Sequence, residues 1–398
     1  MIPVIDSELG LNVYSTKFSG TNGKIKQNNE DFEVSEIISD KALNTISEET
    51  GFAVYNLRKN GIDTNHVLHD VEKRFGLVLR SLGLKDSNAL TEQFVQAKTM
   101  TRSLEKIEGK KYFLKRIGFS KKPIAKQDML GNKFKIKISD STSQISEFNE
   151  FDKILNFFGY QRFGSKRPIT HLVGKAIVQK NYQKAIDFLL NYSSKYDSEE
   201  NNQYRKLIAD RKSELEIIDH IPKSMDIEIG ILKSLAKSND QKTAIREIPL
   251  QMRRCYIQAY QSYIFNKTLS MAFEYEEDLF LPKENDVCYG STGKLGKFQN
   301  ETDQRLTIPL VGHSYFNKTR FDYYIQKILE EEEVSPIEFL IKDFQEISVE
   351  GGFRNSSIQC DNFHVSNDIV EFQLPRGSYA TVVIREILKP DQPLSCGF

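Results

Sequence analysis

The sequence is poor in the patterns that build metal centres and disulfide frameworks. Its 398 residues include no tryptophan, six histidines without HxxxH or HExxH spacing, and four cysteines without a CxxC pair. The cysteines are Cys255, Cys288, Cys360 and Cys396. Because zinc sites and disulfide scaffolds depend on such spacings, we expect neither here, and the scattered thiols suit a reducing cytosol.

The chain also lacks an excess of either charge and any long apolar run. Lys+Arg and Asp+Glu number 55 each, which excludes a protein that is basic all over its surface. No stretch approaches the roughly 18 apolar residues of a membrane helix, and Met1–Glu8 lacks the basic and apolar segments of a secretion signal. We therefore expect a cytoplasmic protein without membrane segments, and any contact with nucleic acid must come from a local patch.

The chain does contain enough apolar residues for two domains. Hydrophobic side chains make up 39% of the sequence, and the length exceeds that of one typical domain. Aromatic residues reach 11%, with 26 Phe and 17 Tyr. Such residues build cores and also hold unstacked nucleic-acid bases, and composition does not choose between the two uses.

The first third of the chain predicts mixed strands and helices. Apolar and polar residues alternate in Asp31–Ile37, Phe52–Arg58 and Lys133–Ile138, as in half-buried antiparallel strands. Between them, Thr64 is expected to cap a helix that runs through Phe75. This combination indicates an α+β fold.

A second, helix-rich region begins near residue 170. Thr170 is expected to cap a helix, Tyr182–Leu190 continues helical, and Ser193–Gln203 is predicted to be an exposed loop. The longest periodic stretch, Met252–Phe273, has the spacing of a helix, and its apolar positions indicate core more than a binding face.

The last part of the chain resembles the first. Ile369–Leu374 and Tyr379–Glu386 alternate again, which predicts two strands. The simplest account is a discontinuous domain that is split by an inserted one.

One segment, the basic strip of residues 101–127, combines positive charge with aromatic rings. It has nine basic side chains against Glu105 and Glu108, and Tyr112, Phe113 and Phe119 lie among them. Such a composition suits a phosphate backbone with exposed bases, but a solvated strand and loop explains it equally well. The basic residues are Arg102, Lys106, Lys110, Lys111, Lys115, Arg116, Lys121, Lys122 and Lys126.

Five motifs in order along the chain resemble the TruD family of pseudouridine synthases. They are Lys26–Val34, Leu57–Thr64, Gly83–Val95, Asn156–Gly164 and Leu374–Glu386. The middle region, with Ser165–Gly174 and Gln258–Tyr263, is similar to the archaeal or eukaryotic branch of that family.

The resemblance implies both a fold and an activity. The fold would be an α+β pseudouridine-synthase catalytic domain with a mixed and antiparallel sheet, formed by residues 1–164 and 346–398. A helix-rich TruD insertion domain, residues 165–345, would interrupt it. The implied activity is isomerisation of a uridine in tRNA, usually at position 13, without a cofactor or an obligatory protein partner.

The same resemblance points to site residues. Asp86, which alone would suggest a turn residue, matches the catalytic aspartate of the family. Lys26 matches a basic residue before the EDF sequence, Asn156 and Phe158 match a polar and aromatic pair, and Tyr379 matches an aromatic position. Ser87 and Asn29 depart from the pattern, where relatives often carry a basic residue and a proline.

The chemistry gives each of these residues a possible role. Asp86 must be ionised to act as a nucleophile or as a base at the sugar, and Lys26 nearby would favour its charged form. Phe158 and Tyr379 would hold the uracil by its faces, or else pack in the core. Asn156 would bond either the loop of Asp86 or the base itself.

The target lies inside folded tRNA, so the nucleotide must be flipped out, at a cost of about a few kcal/mol. Phosphate contacts would offset this cost, and the candidate cations are Arg58, Lys59, Lys110, Lys111, Lys115 and Arg116. Two alternatives stay open at this point. The enzyme could act at another tRNA position or on another RNA, or the protein could bind RNA without turnover.

Overall fold

A computed structural model of the chain describes residues 1–47, 50–100, 103–141, 145–148, 153–210, 217–300 and 303–398. Arg102 of the basic strip therefore lies outside the described residues. The α-helices are Val4–Glu8, Asp40–Leu43, Thr64–Phe75, Thr170–Val178, Tyr182–Asn191, Glu199–Asp210, Asp226–Ser238, Gln241–Arg246, Leu250–Glu274, Asp322–Glu331 and Ala380–Leu388. Among the described residues, no helix is both long and apolar enough to cross a membrane.

A large mixed sheet organises the fold. Its strands follow the order Asp361–Ser366, Ile369–Pro375, Met129–Lys137, Phe32–Ile38, Leu90–Ala97, Phe52–Asn60, Tyr112–Ser120 and Ile46–Ser47. Leu79–Ser81 also pairs with Leu90–Ala97, and Lys106–Gly109 with Tyr112–Ser120. Phe32–Ile38 and Leu90–Ala97 run parallel, and the other pairs that the structure describes in this sheet are antiparallel.

Two smaller sheets contain the remaining paired strands that the structure describes. One contains Leu295–Lys297, Val287–Tyr289, Arg305–Leu310 and Gly352–Asn355, and the other pairs Lys153–Leu155 with Ser357–Gln359. The α+β class predicted from the sequence is thus confirmed, with strands from both ends of the chain in one sheet.

The three strands predicted from alternation near the N-terminus are confirmed. Phe32–Ile38 alternates strictly between buried and partly buried positions, as a strand with one face on the core does. The helix after Phe52–Asn60 also forms, at Thr64–Phe75, but its cap is different. Asp63 accepts the backbone N–H of His66, whereas Thr64 is buried and turns its hydroxyl elsewhere.

The strand predicted at Tyr379–Glu386 is wrong, because this segment forms the helix Ala380–Leu388. Every residue of the helix is buried, and four consecutive β-branched residues, Thr381–Ile384, give the segment the composition of a strand. A short continuous apolar run does not distinguish a buried helix from a strand. Inside this helix, Arg385 is fully buried and its Nε donates to Asp6 Oδ2 at 2.6 Å.

The helix-rich region differs from its prediction at a cap and at a loop. Thr170 does not cap its helix: it is the first helical residue, and its hydroxyl donates to the carbonyl oxygen of Phe163 at 2.7 Å. Ser193–Gln203 is not a loop throughout, since a helix begins at Glu199 and Ser194 is buried. The predicted long helix is confirmed as Leu250–Glu274, with Tyr256 and Tyr260 in the core.

Gly174 allows the Leu250–Glu274 helix to approach the Thr170–Val178 helix closely. A Cβ at Gly174 would lie 2.0 Å from the carbonyl oxygen of Tyr256. This residue belongs to the Ser165–Gly174 motif, so the motif has a packing role.

The largest hydrophobic core contains residues from both predicted domains. It includes Leu9 and Phe158 from the first part, Tyr260 and Phe265 from the long helix, and Val383 near the end. Asn266 of that helix donates to the carbonyl oxygens of Leu9 and Phe158, at 3.1 Å each. The division at residues 164/165 and 345/346 stays a prediction, and the segments on either side of it share one core.

Candidate active site

Asp86 lies in a loop of residues 82–89, the Asp86 loop, between the strands Leu79–Ser81 and Leu90–Ala97. Its carboxylate is 43% exposed, so it is accessible to a substrate. The strand that follows the loop is central in the large sheet and pairs with three others. The loop is therefore attached to a rigid part of the fold.

Side chains from neighbouring elements fix the backbone of the Asp86 loop. Gln93 Nε2 donates to the carbonyl oxygen of Gly83 at 3.2 Å. The hydroxyl of Thr64 donates to Gln93 Oε1 at 2.9 Å and accepts the N–H of Lys85 at 3.4 Å. Thr64 thus supports the loop instead of capping its helix.

Lys59 lies underneath the same loop. Its Nζ donates to the carbonyl oxygen of Asp86 at 2.7 Å and to that of Lys85 at 3.4 Å, and the residue is 1% exposed. Burial lowers the pKa of Lys59 to about 8, against the opposing effect of Asp86 and Asp63. The phosphate contact predicted for Lys59 does not fit this placement, because a buried ammonium bonded to two carbonyls is out of reach of RNA.

The lysine beside Asp86 anchors the loop from another direction. Lys85 Nζ lies 2.5 Å from Glu36 Oε1, and the two side chains are 6% and 0% exposed. The second oxygen of Glu36 accepts the N–H of Phe94 at 2.8 Å. Glu36 occupies a buried position of the Phe32–Ile38 strand. Because a buried charge needs a partner, a glutamate at such a position indicates a buried cation nearby.

Lys26 is the cation that the structure brings to the carboxylate of Asp86. Its Nζ lies 3.4 Å from Asp86 Oδ2 and 4.5 Å from the centre of the Phe32 ring. Lys26 has a φ of +55°, in the left-handed region that few lysines adopt. The predicted pairing of Lys26 with Asp86 is present.

A pocket opens beside Asp86, which we call the Asp86 pocket. Its walls are apolar and aromatic with a few polar groups, a combination typical of small-molecule and base sites. Tyr379 forms one wall, at the start of the Ala380–Leu388 helix, and its hydroxyl accepts the Nε–H of Arg162 at 3.2 Å. The lining residues are Phe32, Val34, Leu84, Lys85, Asp86, Asn132, Phe134, Gln161, Ser378, Tyr379, Ala380 and Thr381.

Phe158 does not line the Asp86 pocket, although its sequence motif predicts contact with the base. It is 7% exposed and packs edge-on against Phe265 and Tyr379, with ring centres 5.5 and 6.1 Å apart. The guanidinium carbon of Arg354 lies 4.0 Å from the centre of its ring. Phe158 therefore packs against Tyr379 and lines a different cavity from Asp86.

Asn156 is also away from the pocket, and its polar atoms already have partners. Its side-chain oxygen accepts Arg354 Nη2 at 2.7 Å, and its Nδ2 donates to the carbonyl oxygen of Asn355 at 3.0 Å. It bonds neither the Asp86 loop nor the pocket in this structure. Arg354 had no sequence signal of its own, since it lies outside the five motifs.

The other predicted cations lie on the two strands beside the site. Arg58 is exposed on Phe52–Asn60, next to the buried Lys59, because successive side chains alternate between faces. Lys115 is exposed and directly opposite Lys106 on the neighbouring strand. Two like charges opposite each other are unfavourable unless an anion lies between them.

The hairpin tip of the basic strip lies close to the segment that carries Lys26. Lys110 and Lys111 are both exposed at this tip, and Lys111 Nζ donates to the carbonyl oxygen of Gly61 at 3.1 Å. A Cβ at Gly61 would lie 2.6 Å from Asn29 Nδ2. Arg116 is partly buried and donates to Ser103 Oγ at 2.8 Å.

Comparison with known proteins assigns the family. The sequence model of "tRNA pseudouridine synthase D (TruD)" matches residues 8–387. The "Probable tRNA pseudouridine synthase D" of Methanosarcina acetivorans is 31% identical over 98% of both chains, and that of Pyrobaculum islandicum is 31% identical over 100% of this chain and 99% of its own.

A solved structure agrees with these sequences. The crystal structure of the putative tRNA pseudouridine synthase D (TruD) from Methanosarcina mazei superimposes with a TM-score of 0.76, at 30% identity and 99% coverage of each chain. These relatives are archaeal, as the middle region of the sequence suggests. The chain belongs to the tRNA pseudouridine synthase D (TruD) family.

Proposed function

We propose that this protein is a tRNA pseudouridine synthase, that it isomerises uridine at position 13 of tRNA, and that Asp86 acts on the sugar without a cofactor. Family membership supports the reaction type. The observation that carries the residue assignment is the accessible Asp86 carboxylate, which pairs with Lys26 at the mouth of a pocket with aromatic walls.

The reaction exchanges one bond for another within the same nucleotide. The C1′–N1 bond breaks, the uracil turns, C5 bonds to C1′, and the C5 proton leaves while N1 gains one. Substrate and product contain the same atoms, so the reaction needs no oxidant and no second substrate. A carboxylate can drive it by attack at C1′ or by removing the C2′ proton to give a glycal.

The environment of Asp86 fits either route. Both routes require an ionised carboxylate, and Lys26 Nζ lies 3.4 Å from Asp86 Oδ2 as its ion-pair partner. The Asp86 backbone is held by Lys59 from below, so the carboxylate keeps its direction while the base turns. Asp86 is the nucleophile or base in this proposal, and Lys26 its electrostatic partner.

The detached uracil must be retained while its glycosidic bond is open. Tyr379 is the ring that faces the pocket, and Phe32 and Phe134 form apolar walls beside it. Stacking of a base on an aromatic ring contributes about 1–3 kcal/mol. We propose that Tyr379 contacts the base, and that Phe158 and Asn156 act on it indirectly, through the packing of Phe158 on Tyr379 and the bonds of Asn156 to Arg354.

The tRNA would lie across the basic strip. Lys110, Lys111 and Lys115 are exposed there, and Lys111 bonds Gly61, which lies beside Asn29 of the Lys26 segment. Together with Arg58 and Arg116 they would neutralise phosphates and offset the cost of flipping the nucleotide. We place this activity in the cytoplasm, where the free thiols of the described cysteines would stay reduced.

Two transcripts of one tRNA test the proposal, one with uridine at position 13 and one with cytidine there. After incubation with the purified protein, pseudouridine is mapped by carbodiimide modification and primer extension. We expect one modified residue, at position 13, and none in the cytidine transcript. A product at another position would overturn the assigned site, and bound but unmodified tRNA would favour the alternative of binding without turnover.

A further inference from the structure

A second groove lies next to the ring of Phe158, and we call it the Phe158 groove. It is lined by Phe158, Arg162 and Arg354 together with Gln258, Gln261 and Glu350. Gln258 and Gln261 belong to the Gln258–Tyr263 motif, which the Asp86 pocket does not use. Tyr379, which lines the pocket, contacts Phe158, which lines the groove, with ring centres 6.1 Å apart, so this pair of rings connects the two cavities.

Arg354 is held in the groove by neutral acceptors. Its Nε donates to the carbonyl oxygen of Asn156 at 3.0 Å, its Nη1 to that of Gly377 at 3.0 Å, and its Nη2 to Asn156 Oδ1 at 2.7 Å. Among the described residues, no carboxylate joins these bonds. Burial lowers the pKa of Arg354 to about 10, and the neighbouring Arg162 adds to this effect.

Arg162 is the second guanidinium of the groove and likewise has neutral partners. It donates to the hydroxyl of Tyr379 at 3.2 Å and to Gln258 Oε1 at 3.5 Å. The guanidinium carbons of Arg162 and Arg354 lie 5.5 and 4.0 Å from the centre of the Phe158 ring. Glu350, at the rim, is exposed and forms no ion pair with either arginine in the part of the chain that is described.

Two arginines that face one groove without a carboxylate between them repel each other. Burying the charge of Arg354 without a counter-ion costs free energy, which its bonds to four neutral acceptors offset only in part and which a bound anion would recover. Arginine has five N–H donors. Arg354 uses four of them, the fourth in a bond from Nη2 to the carbonyl oxygen of Phe157 at 3.4 Å, and Arg162 uses two. Within the described part of the chain, one donor of Arg354 and three of Arg162 are left for such an anion.

We propose that the Phe158 groove binds a phosphodiester of the RNA strand next to the target nucleotide, through Arg162 and Arg354. This inference rests on the proposed function, because the target base would occupy the Asp86 pocket. The bond from Arg162 to Tyr379 connects the two sites, so the phosphate contact orients the ring that holds the base. Phe158 and Asn156 then have a shared role, since both position Arg354.

A neutral-phosphate scan tests the groove. The tRNA is assembled from two strands, one of which carries a single 2′-deoxy methylphosphonate, moved one linkage at a time around the target. Each is compared with a 2′-deoxy phosphate at the same linkage. Affinity is measured for the parent protein, for Arg162→Gln and, as a control cation elsewhere, for Lys115→Ala.

We expect one linkage beside the target at which the methylphosphonate weakens binding to the parent and to Lys115→Ala, but not further to Arg162→Gln. The slope of log affinity against log salt should also fall for Arg162→Gln, by about 0.7–0.9 for the lost contact. Arg354→Gln should give the same result if its melting temperature equals that of the parent. If this variant is destabilised, the test is decided by Arg162→Gln alone.

The inference is overturned if Arg162→Gln has the same salt dependence of affinity as the parent and loses as much affinity as the parent from the methylphosphonate at every linkage. The assay measures binding, so it separates this inference from the proposed function. If the effect of one neutral linkage depends on Arg162 but no pseudouridine forms, the phosphate site is retained and the activity is rejected. If pseudouridine forms but no linkage depends on Arg162, the activity is retained and the phosphate site is rejected.

Discussion

The side-chain nitrogen of Lys59 lies 2.7 Å from the main-chain oxygen of Asp86 and is almost fully buried beneath it. The candidate catalytic aspartate therefore depends on a lysine that does not face its carboxylate. A buried cation that bonds a loop from below fixes its backbone, while Lys26 above contacts the carboxylate itself. Lys59 thus positions the backbone of the Asp86 loop, and Lys26 is the ion-pair partner of the carboxylate.

Lys59→Met should slow single-turnover isomerisation by about ten- to a hundredfold, because a hydrogen bond to a charged group contributes about 1.5–3 kcal/mol. Binding of tRNA should change little, since Lys59 does not reach the surface. Arg58→Met is the matched control, as it removes the adjacent, exposed cation. Equal rates for the two variants would reject the positioning role of Lys59.

The lowered pKa of Lys59 also predicts a pH dependence of stability. The pKa is about 8 in the folded protein and about 10.4 in an unfolded chain, so between these values the unfolded state binds more protons. The free energy of unfolding should then rise with pH, by up to about 1.4 kcal/mol per pH unit from this group. Denaturation of the parent and of Lys59→Met from pH 7 to 10 measures the difference, and parallel curves would contradict it.

Strands and helices could be predicted from the sequence where one face is buried and the other meets solvent, because apolar and polar residues then alternate with the period of the element. Phe32–Ile38 and Phe52–Asn60 alternate visibly for that reason. Ala380–Leu388 is buried along its whole length and contains the β-branched run Thr381–Ile384, which favoured a strand, so the strand prediction was wrong. The start of the Glu199–Asp210 helix was missed because its first residues, Glu199 and Glu200, are as polar as a loop.

The site was predictable only in part. Asp86, Lys26 and Tyr379 come from separate motifs, and the structure brings them to one pocket. Lys59 follows Arg58 in sequence, so the pair suggested a positively charged surface. Successive side chains of a strand point to opposite faces, however, and only Arg58 is exposed. Arg354 could not be found, because its role depends on a contact with Asn156 that is 198 positions away in sequence.

Replacing Lys110, Lys111, Lys115 and Arg116 by alanine should weaken tRNA binding and flatten its salt dependence, by up to about 0.9 per lost contact. A matched control removes four exposed lysines from the helix-rich region, which we expect to be outside the RNA path: Lys206, Lys223, Lys233 and Lys237. Both variants lose four positive charges, so a slope that changes equally in both would show that the strip has no specific role.

Tyr379 and Phe158 should respond differently to substitution. Tyr379→Leu should slow isomerisation by about tenfold or more, because base stacking contributes about 1–3 kcal/mol, and Tyr379→Phe should keep most of the rate. Phe158→Ala should mainly lower stability, by about 3–5 kcal/mol, and Phe158→Leu should lower it less. Single-turnover rate and melting temperature are measured on the same variants. A stable Phe158→Ala with a lost rate would instead show that Phe158 serves the reaction and not only the core.

The measurement that tests the account most directly is pseudouridine formation by Asp86→Asn, which removes the charge with little change of shape. Asp140→Asn is the control, since Asp140 forms an exposed ion pair with Lys24 at 2.9 Å, away from the pocket. The account predicts no detectable product from Asp86→Asn, tRNA affinity within about tenfold of the parent, and a normal rate for Asp140→Asn. Turnover by Asp86→Asn above a few per cent of the parental rate would contradict it.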